Sequence, residues 1–289
     1  MIRPQKTAND EKDNITRNVK ALYEEYSFPR HTDNYTYDPN FFRQFFPEEI
    51  LNKMKTCTAL DAGCGTGPNL PSLSSLFKQV YAFDLSETSA KNAKVLAQRM
   101  NLKNVTITSG DIFNIPFDRK FDFIFSIGVL HHTKDARGGF HLLSQHLEKG
   151  GYITVALYNR FGGWKHRLLM RFFNRVKDPK RRLAFVKRFK AYRNLPDESL
   201  ADGFIHPQIT FFSIDQVLKW FKENNLEFIS VSKPVNFLEL YKHYENRNIK
   251  GHKNIYRNLS FHLKRIISQF IWGFHSSSGY YNIIGRKIR

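Results

Sequence analysis

Cysteine is nearly absent: among 289 residues only Cys57 and Cys64 occur. Two thiols at this separation give neither a disulfide framework nor a paired zinc-ligand spacing. A reducing cytoplasm is the expected compartment. Long apolar runs are missing too. No stretch reaches the ~20 residues that cross a bilayer, and the N-terminus shows no secretory leader pattern. Acids are scarce, 26 against 45 lysines and arginines, leaving a formal charge of +19. The excess is local: lysine and arginine crowd the stretch from Arg160 to Arg193, where Asp178 is the single acid. The basic charge therefore belongs to one part of the chain rather than to the whole surface.

The most informative segment runs from Ala59 to Leu70, Ala-Leu-Asp-Ala-Gly-Cys-Gly-Thr-Gly-Pro-Asn-Leu. It reads as a buried strand, a glycine-rich turn and a helix. Gly63, Gly65 and Gly67 fall on alternate positions, so the backbone can turn tightly and approach a ligand. Pro68 suits the first helical position, and a helix N-terminus receives anionic groups. Asp61 precedes the loop. The spacing is one residue shorter than the dinucleotide fingerprint Gly-x-Gly-x-x-Gly, and no Gly-Lys-Ser/Thr follows as a phosphate loop requires.

Four further segments repeat the strand logic. Gln79–Asp84 is a strand ending in an acid, with Asp84 placed where a carboxylate can hold ribose hydroxyls. Val105 to Ile112 is a third strand leading into Asp111. Phe121 to His132 is a fourth, ending in Gly-Val-Leu-His-His. Leu147 to Val155 carries a Gly-Gly turn into a fifth. Strands alternating with helices predict a parallel sheet covered on both faces, with ligands at the carboxyl ends of the strands.

These five segments, in this order over about residues 57–158, resemble the motifs of class I S-adenosylmethionine-dependent methyltransferases, in the type 11/type 12 group. The resemblance implies an α/β, Rossmann-like, doubly wound and mostly parallel seven-stranded sheet. Its last strand, near Tyr280 to Lys287, would be antiparallel, and helical lid insertions would be added. It implies S-adenosylmethionine as cofactor and S-adenosylhomocysteine as product. The cofactor residues would be Asp61, Gly63, Cys64, Gly65, Gly67, Asp84, Leu85, Asp111, Ile112, Ser126 and Ile127, with Leu85 and Ile112 flanking the adenine. No metal is required.

The catalytic candidates are His131 and His132, with His131 slightly ahead, since a neutral imidazole can take a proton from a hydroxyl or amine. His206 is a further histidine for which packing is the simpler reading. Residues 1–56 form an aromatic N-terminal extension whose first 19 residues are expected to fray. Tyr23 or Tyr26 is a candidate for the cofactor carboxylate. Residues 57–289 form the main domain, with basic helical insertions at about 159–210 and 235–275. Trp164, Leu168, Leu169, Phe172, Phe173 and Val176 recur at helical spacing among Lys165, Arg167, Arg171 and Arg175, which predicts a basic amphipathic helix.

The expected acceptor is a small molecule or lipid-like compound, with the basic helix either lying on an anionic membrane or packing as a lid. An RNA or DNA substrate is the alternative, since basic insertions suit phosphates. The fourth strand, however, lacks the Asn/Asp-Pro-Pro-aromatic grip of base-amino methyltransferases, and no Pro-Cys nucleophile is present. A scaffold that keeps the fold without activity is the second alternative, opposed by the intact glycines and acids. Accepting atom and oligomeric state are not specified by the sequence.

Overall fold

The computed structural model describes residues 8–29, 42–232, 262–275 and 280–288. Seven strands form one sheet: β1 Thr58–Ala62, β2 Gln79–Asp84, β3 Val105–Ser109, β4 Phe121–Ile127, β5 Leu147–Leu157, β6 Leu226–Val231 and β7 Tyr281–Lys287. Their order is β3-β2-β1-β4-β5-β7-β6. The pairs from β3 to β5 are parallel, and β7 runs antiparallel between β5 and β6. The strand order reverses between β1 and β4, where an open α/β sheet forms its ligand crevice.

Alternation along the strands divides two apolar layers. Leu60, Phe83 and Ile124 face one side, packed with Phe140, Leu143, Trp220 and Phe221. Those partners come from α5 Ala136–Gln145 and α9 Ile214–Glu223. Ala59, Val80, Ala82, Phe123 and Phe125 face the other. There they meet α2 Glu48–Met54, α3 Leu70–Leu76 and α4 Glu87–Arg99. Residues on successive strand positions point to opposite faces, so a sheet covered on both sides needs near-continuous apolar runs. Phe121-Asp-Phe-Ile-Phe is such a run. The side chain of Asp122, its one polar member, accepts hydrogen bonds from the Thr58 N–H and hydroxyl at 2.8 and 3.0 Å.

The sequence expected residues 1–19 to fray, yet α1 spans Ala8–Glu25. Polar contacts hold it to the core. Glu24 accepts from the N–H groups of Glu87 and Thr88 at 2.7 and 3.2 Å, satisfying donors at the start of α4, and Lys20 pairs with Glu87 at 2.8 Å. A carboxylate at a helix N-terminus meets both orphan N–H groups and the dipole. Of the aromatic extension, Phe42, Phe45 and Phe46 join the core, while Tyr35, Tyr37 and Phe41 lie outside the described residues.

The first insertion folds as α6 Trp164–Phe173, α7 Pro179–Val186, α8 Asp197–Leu200 and a π-helical turn Ala201–Ile205. Residues 201–207, expected to be a returning loop, thus begin as a helical turn. Asp178 caps α7 through the Arg181 N–H at 2.8 Å, and Pro179 occupies the first turn. Phe173, Leu183, Val186, Leu200, Phe204 and Ile205 make a small core of their own, joined by Leu22 and Tyr26 of α1. The insertion and α1 therefore form one lid. The predicted amphipathic helix buries Phe173 but leaves Leu168 56% and Phe172 41% exposed. Its apolar face is only partly covered.

Of the second insertion, α10 His262–His275 is a helix. Residues 235–261 lie outside the described residues. Trp272 packs on Tyr281 with ring centroids 6.0 Å apart. Gln269 accepts from Asn159 Nδ2 at 2.8 Å and from the Ile214 N–H at 3.1 Å, which ties α10 to the core. α9 opens with the anticipated Ser213 cap, completed to a capping box by Gln216, and stops at Asn225, whose φ is +56°.

Candidate active site

A cavity of about 760 Å³ lies at the carboxyl ends of β1, β2 and β4, within the ~300–1,000 Å³ usual for small-molecule sites. The loop after β1 forms its floor. Gly63 and Gly65 have φ of +83° and +54°. At Gly65 a Cβ would lie 2.5 Å from the Phe28 carbonyl oxygen, so the N-terminal segment closes over the loop only because glycine stands there. The left-handed turn at Gly67 delays the helix, which starts at Leu70 with Pro71 in its first turn. Pro68 therefore precedes α3 instead of opening it.

Asp84 ends β2 in the cavity wall. One of its oxygens accepts from the Gly65 N–H at 2.8 Å and the other from the Ser86 N–H at 2.9 Å. Burial pushes its carboxyl up to about 6, against the opposing pull of those two donors. Asp111 stands two residues beyond β3, held in a turn by its bridge to Asn114. Leu85, Ile112, Phe113 and Ile127 supply apolar wall, and Cys64 also lines the space. Asp61, Gly67 and Ser126 lie behind the lining. Asp61 is fully buried under the loop, where burial, aided by the nearby Asp84, pushes its carboxyl up to about 7.

The sheet order separates the cavity into two halves. Asp84 and Asp111 belong to the β2–β3 side. Tyr158 follows β5 and Tyr280 precedes β7, on the other side of the switch point. His131 and His132 sit in a single 3-10 turn, Leu130–His132, after β4. Both are buried and both reach the cavity.

Their environments differ. His132 Nδ1 lies 2.8 Å from the Gln208 carbonyl oxygen, which can only accept. Nδ1 therefore carries the hydrogen and Nε2 presents a lone pair. That lone pair lies 3.6 Å from Asp202 Oδ1. Burial lowers the His132 pKa while Asp202 works to raise it. His131 has no well-formed hydrogen bond at either ring nitrogen among the described residues, and its nearest backbone polar neighbour is Ala156. Burial, and then the neighbouring histidines, hold it well below the ordinary range.

His206 stacks on His132, with ring centroids 3.8 Å apart and planes at 31°. Burial, with His132 adding to it, drives its pKa down to about 2. It backs the His132 ring and is not among the cavity lining. His132, Asp202 and His206 bring ligand-type atoms within 4.8 Å of one another. The stacked rings and the hydrogen bond from the Gln208 N–H to His206 Nδ1 at 3.1 Å make a poor metal set. That bond occupies the His206 Nδ1 lone pair and places the hydrogen on Nε2, so this tautomer offers no free lone pair to an ion.

Sequence reasoning missed Asp202, Tyr158 and Tyr280. Tyr23 lines the cavity, but its hydroxyl donates to Asp202 Oδ1 at 2.9 Å. Tyr158 donates to Asp202 Oδ2 at 3.4 Å. Burial and Asp202 raise the pKa of both hydroxyls far above the ordinary phenol value. Tyr26 packs in the lid core instead. A usable signal existed for Tyr158 and Tyr280, since each adjoins a strand end on the ligand side of the sheet.

The fold and this crevice define a Rossmann-like domain built to hold a nucleoside-bearing cofactor. The glycine-turned backbone, the buried carboxylate of Asp84 with room for hydroxyl donors, and the apolar pair Leu85 and Ile112 suit S-adenosylmethionine. Residues 60–155 match the family described as "Methyltransferase domain". The chain is 25% identical to an uncharacterised protein of Synechococcus sp., over 76% of this chain and 61% of that protein. It is 30% identical to the malonyl-[acyl-carrier protein] O-methyltransferase of Bacillus cereus, over 45% of this chain and 47% of that enzyme. The chain thus spans less than two thirds of either relative. PKMT2 from Rickettsia typhi, solved with AdoHcy, shares the fold with a TM-score of 0.62 at 16% identity, over 91% of this chain and 55% of that one. Residues 60–155 thus carry the methyltransferase-domain match within a Rossmann-like fold, and the cofactor that goes with that match is S-adenosylmethionine.

Proposed function

We propose that the chain transfers a methyl group to a small-molecule or lipid-like acceptor held between His132, Tyr158, Tyr280 and Asp202. One observation carries this reading: a single cavity joins Gly63, Asp84 and Asp111 to the histidine pair and to Asp202. Bound S-adenosylmethionine supplies a methyl group activated on a sulfonium, so the protein has mainly to position a nucleophile and exclude water. Asp84 and Asp111 hold the nucleoside end, with Leu85 and Ile112 against the base. His132 takes the acceptor's proton on Nε2. Its tautomer is set by the Gln208 carbonyl, and Asp202 stabilises the imidazolium that forms. His131 shapes the wall beside it.

The lid supports a second element of the reading, work at an anionic membrane surface from the cytoplasm. Leu168, Leu169 and Phe172 are exposed beside Arg171 and Arg175, a pattern suited to interfacial binding. Among the described residues no helix is long and apolar enough to cross a membrane. Calorimetric titration with S-adenosylmethionine and S-adenosylhomocysteine, on protein freed of nucleic acid, tests the proposal. Micromolar binding of both, followed by methylation within a small-molecule or lipid extract, is expected. A folded protein that binds neither would leave a scaffold. Methylation of RNA or DNA alone would move the acceptor to nucleic acid.

A further inference from the structure

The acceptor end of the cavity holds two hydrogen-bond acceptors that face each other. In the neutral ring, the form burial favours, His132 Nε2 carries a lone pair, because the Gln208 carbonyl fixes the single hydrogen on Nδ1. Asp202 Oδ1 stands 3.6 Å from it. Neither atom can donate to the other, so the pair calls for a group bearing hydrogens on both sides. A hydroxyl has one hydrogen and satisfies one of the two. A primary or secondary ammonium has at least two, and adds a positive charge beside the carboxylate.

Charge points the same way. The Asp202 side chain is only 13% exposed, and its partners Tyr23 and Tyr158 are neutral hydroxyls. Among the described residues Lys134 is the one lysine or arginine in the cavity lining, and its ammonium is bound to Asp13 at 3.0 Å. A buried carboxylate without a cationic partner is costly, and a ligand cation relieves that cost. The walls around it are rings. Tyr158 lies 4.2 Å from His131 and 5.8 Å from Tyr280, centroid to centroid. Aromatic faces favour organic cations over anions.

We propose that the acceptor is an amine, bound as its ammonium between Asp202 and His132 in the ring-lined half of the cavity. This deepens the methyltransferase reading and rests on it. The step balances: one N–H proton passes to His132 Nε2, the freed nitrogen lone pair forms the N–C bond, and the methyl–sulfur bond breaks to leave a neutral thioether. The positive charge of the sulfonium passes to the product nitrogen, so after transfer Asp202 faces an N-methylammonium as well as the imidazolium, and loss of the His132 proton to solvent restores the starting balance.

The experiment titrates protein saturated with S-adenosylhomocysteine with benzylamine, benzyl alcohol and benzoate, using wild type and Asp202→Asn. Benzylammonium should bind the wild type at least tenfold more tightly than the other two. Asp202→Asn should lose that preference by roughly ten- to a hundredfold, as expected for one charge-assisted contact. Affinity for S-adenosylhomocysteine should stay within about twofold in the variant, which reports an intact cofactor half. Equal binding of benzyl alcohol, or benzylammonium binding untouched in a folded Asp202→Asn, overturns the amine assignment. Tight Zn2+ binding that is lost with Asp202 overturns it in favour of a metal. If the variant does not fold, the selectivity of the wild type alone decides. Failure of wild-type protein to bind S-adenosylhomocysteine would instead sink the methyltransferase reading.

Discussion

The Tyr23 hydroxyl donates to Asp202 at 2.9 Å across 179 positions of sequence, fastening the N-terminal helix to the lid insertion directly over the cavity. Around this bond Leu22 and Tyr26 enter the lid core, and the Tyr23 ring packs on His206 at 5.4 Å. Tyr23→Phe keeps the ring and removes the donor. We expect the lid to loosen by about 1–2 kcal/mol, seen as faster amide exchange in residues 197–210. Unchanged exchange there would mean that apolar packing alone holds the lid.

The two histidines make a paired prediction. His132→Ala should slow turnover by about 10²–10⁴-fold, the usual contribution of a positioned base, while cofactor affinity stays within about twofold. His131→Ala should have the smaller effect on turnover, since no carboxylate stands by its ring as Asp202 stands by His132 among the described residues. Wild-type rates in His132→Ala would exclude it as the base.

Gly65 tests the cofactor floor. A Cβ there meets the Phe28 carbonyl at 2.5 Å, and the left-handed φ adds roughly 1–2 kcal/mol for any other residue. Calorimetry on Gly65→Ala should show at least tenfold weaker binding of S-adenosylhomocysteine. Full affinity would place the cofactor away from this loop.

Asp61 and Asp84 predict a pH effect with a definite sign. Their folded-state pKa values, about 7 and about 6, lie above the ordinary 3.8. Between those limits the folded protein holds protons that the unfolded chain has released, so this contribution to stability is full below about pH 4. It is lost as pH rises through 6 to 7. Asp61→Asn removes its share. Thermal melts of the ligand-free protein should therefore show the variant gaining on the wild type as pH rises from 5 to 8. A difference that is flat with pH would contradict the burial argument.

The exposed face of α6 yields a surface prediction. Glutamate at both Arg171 and Arg175 should abolish cosedimentation with anionic vesicles and leave binding to neutral ones unchanged. Arg167 is the wrong residue for this test, since it is half-buried and its guanidinium bonds the Arg160 carbonyl. Wild-type protein that never cosediments removes the membrane element of the proposal.

Much of the core was readable because its signals are local. The apolar run Phe121 to Ile127, the acid ending Gln79–Asp84 and the Ser213 cap each declare an element within a few residues. The antiparallel β7 was anticipated from the resemblance alone. The half of the cavity around Asp202 is different in kind. Asp202 acquires its meaning only from Tyr23, Tyr158 and His132, none of them near it in sequence. Nothing within Ala201–Pro207 marks that segment as cavity wall. Likewise the helical spacing of Leu168, Leu169 and Phe172 correctly signals a helix, but periodicity cannot say which apolar residues find a partner. Charge composition misled at the N-terminus, where polar residues are anchored by the N–H groups of α4 and by Asp135 and Lys134.

The position of β7 sets an order of events during synthesis. β5 and β6 are neighbours in sequence among the described strands, yet they are held apart by a strand made some fifty residues after β6, as the pairing of Ser230 with Ile284 shows. On a ribosome, strands β1 to β4 and the glycine loop can assemble while β6 still lacks any partner. Tyr280 reaches its place only when β7 slots in. The half of the cavity around Gly63 and Asp84 is therefore available to form before the half around Tyr158 and Tyr280, which a nascent chain completes last.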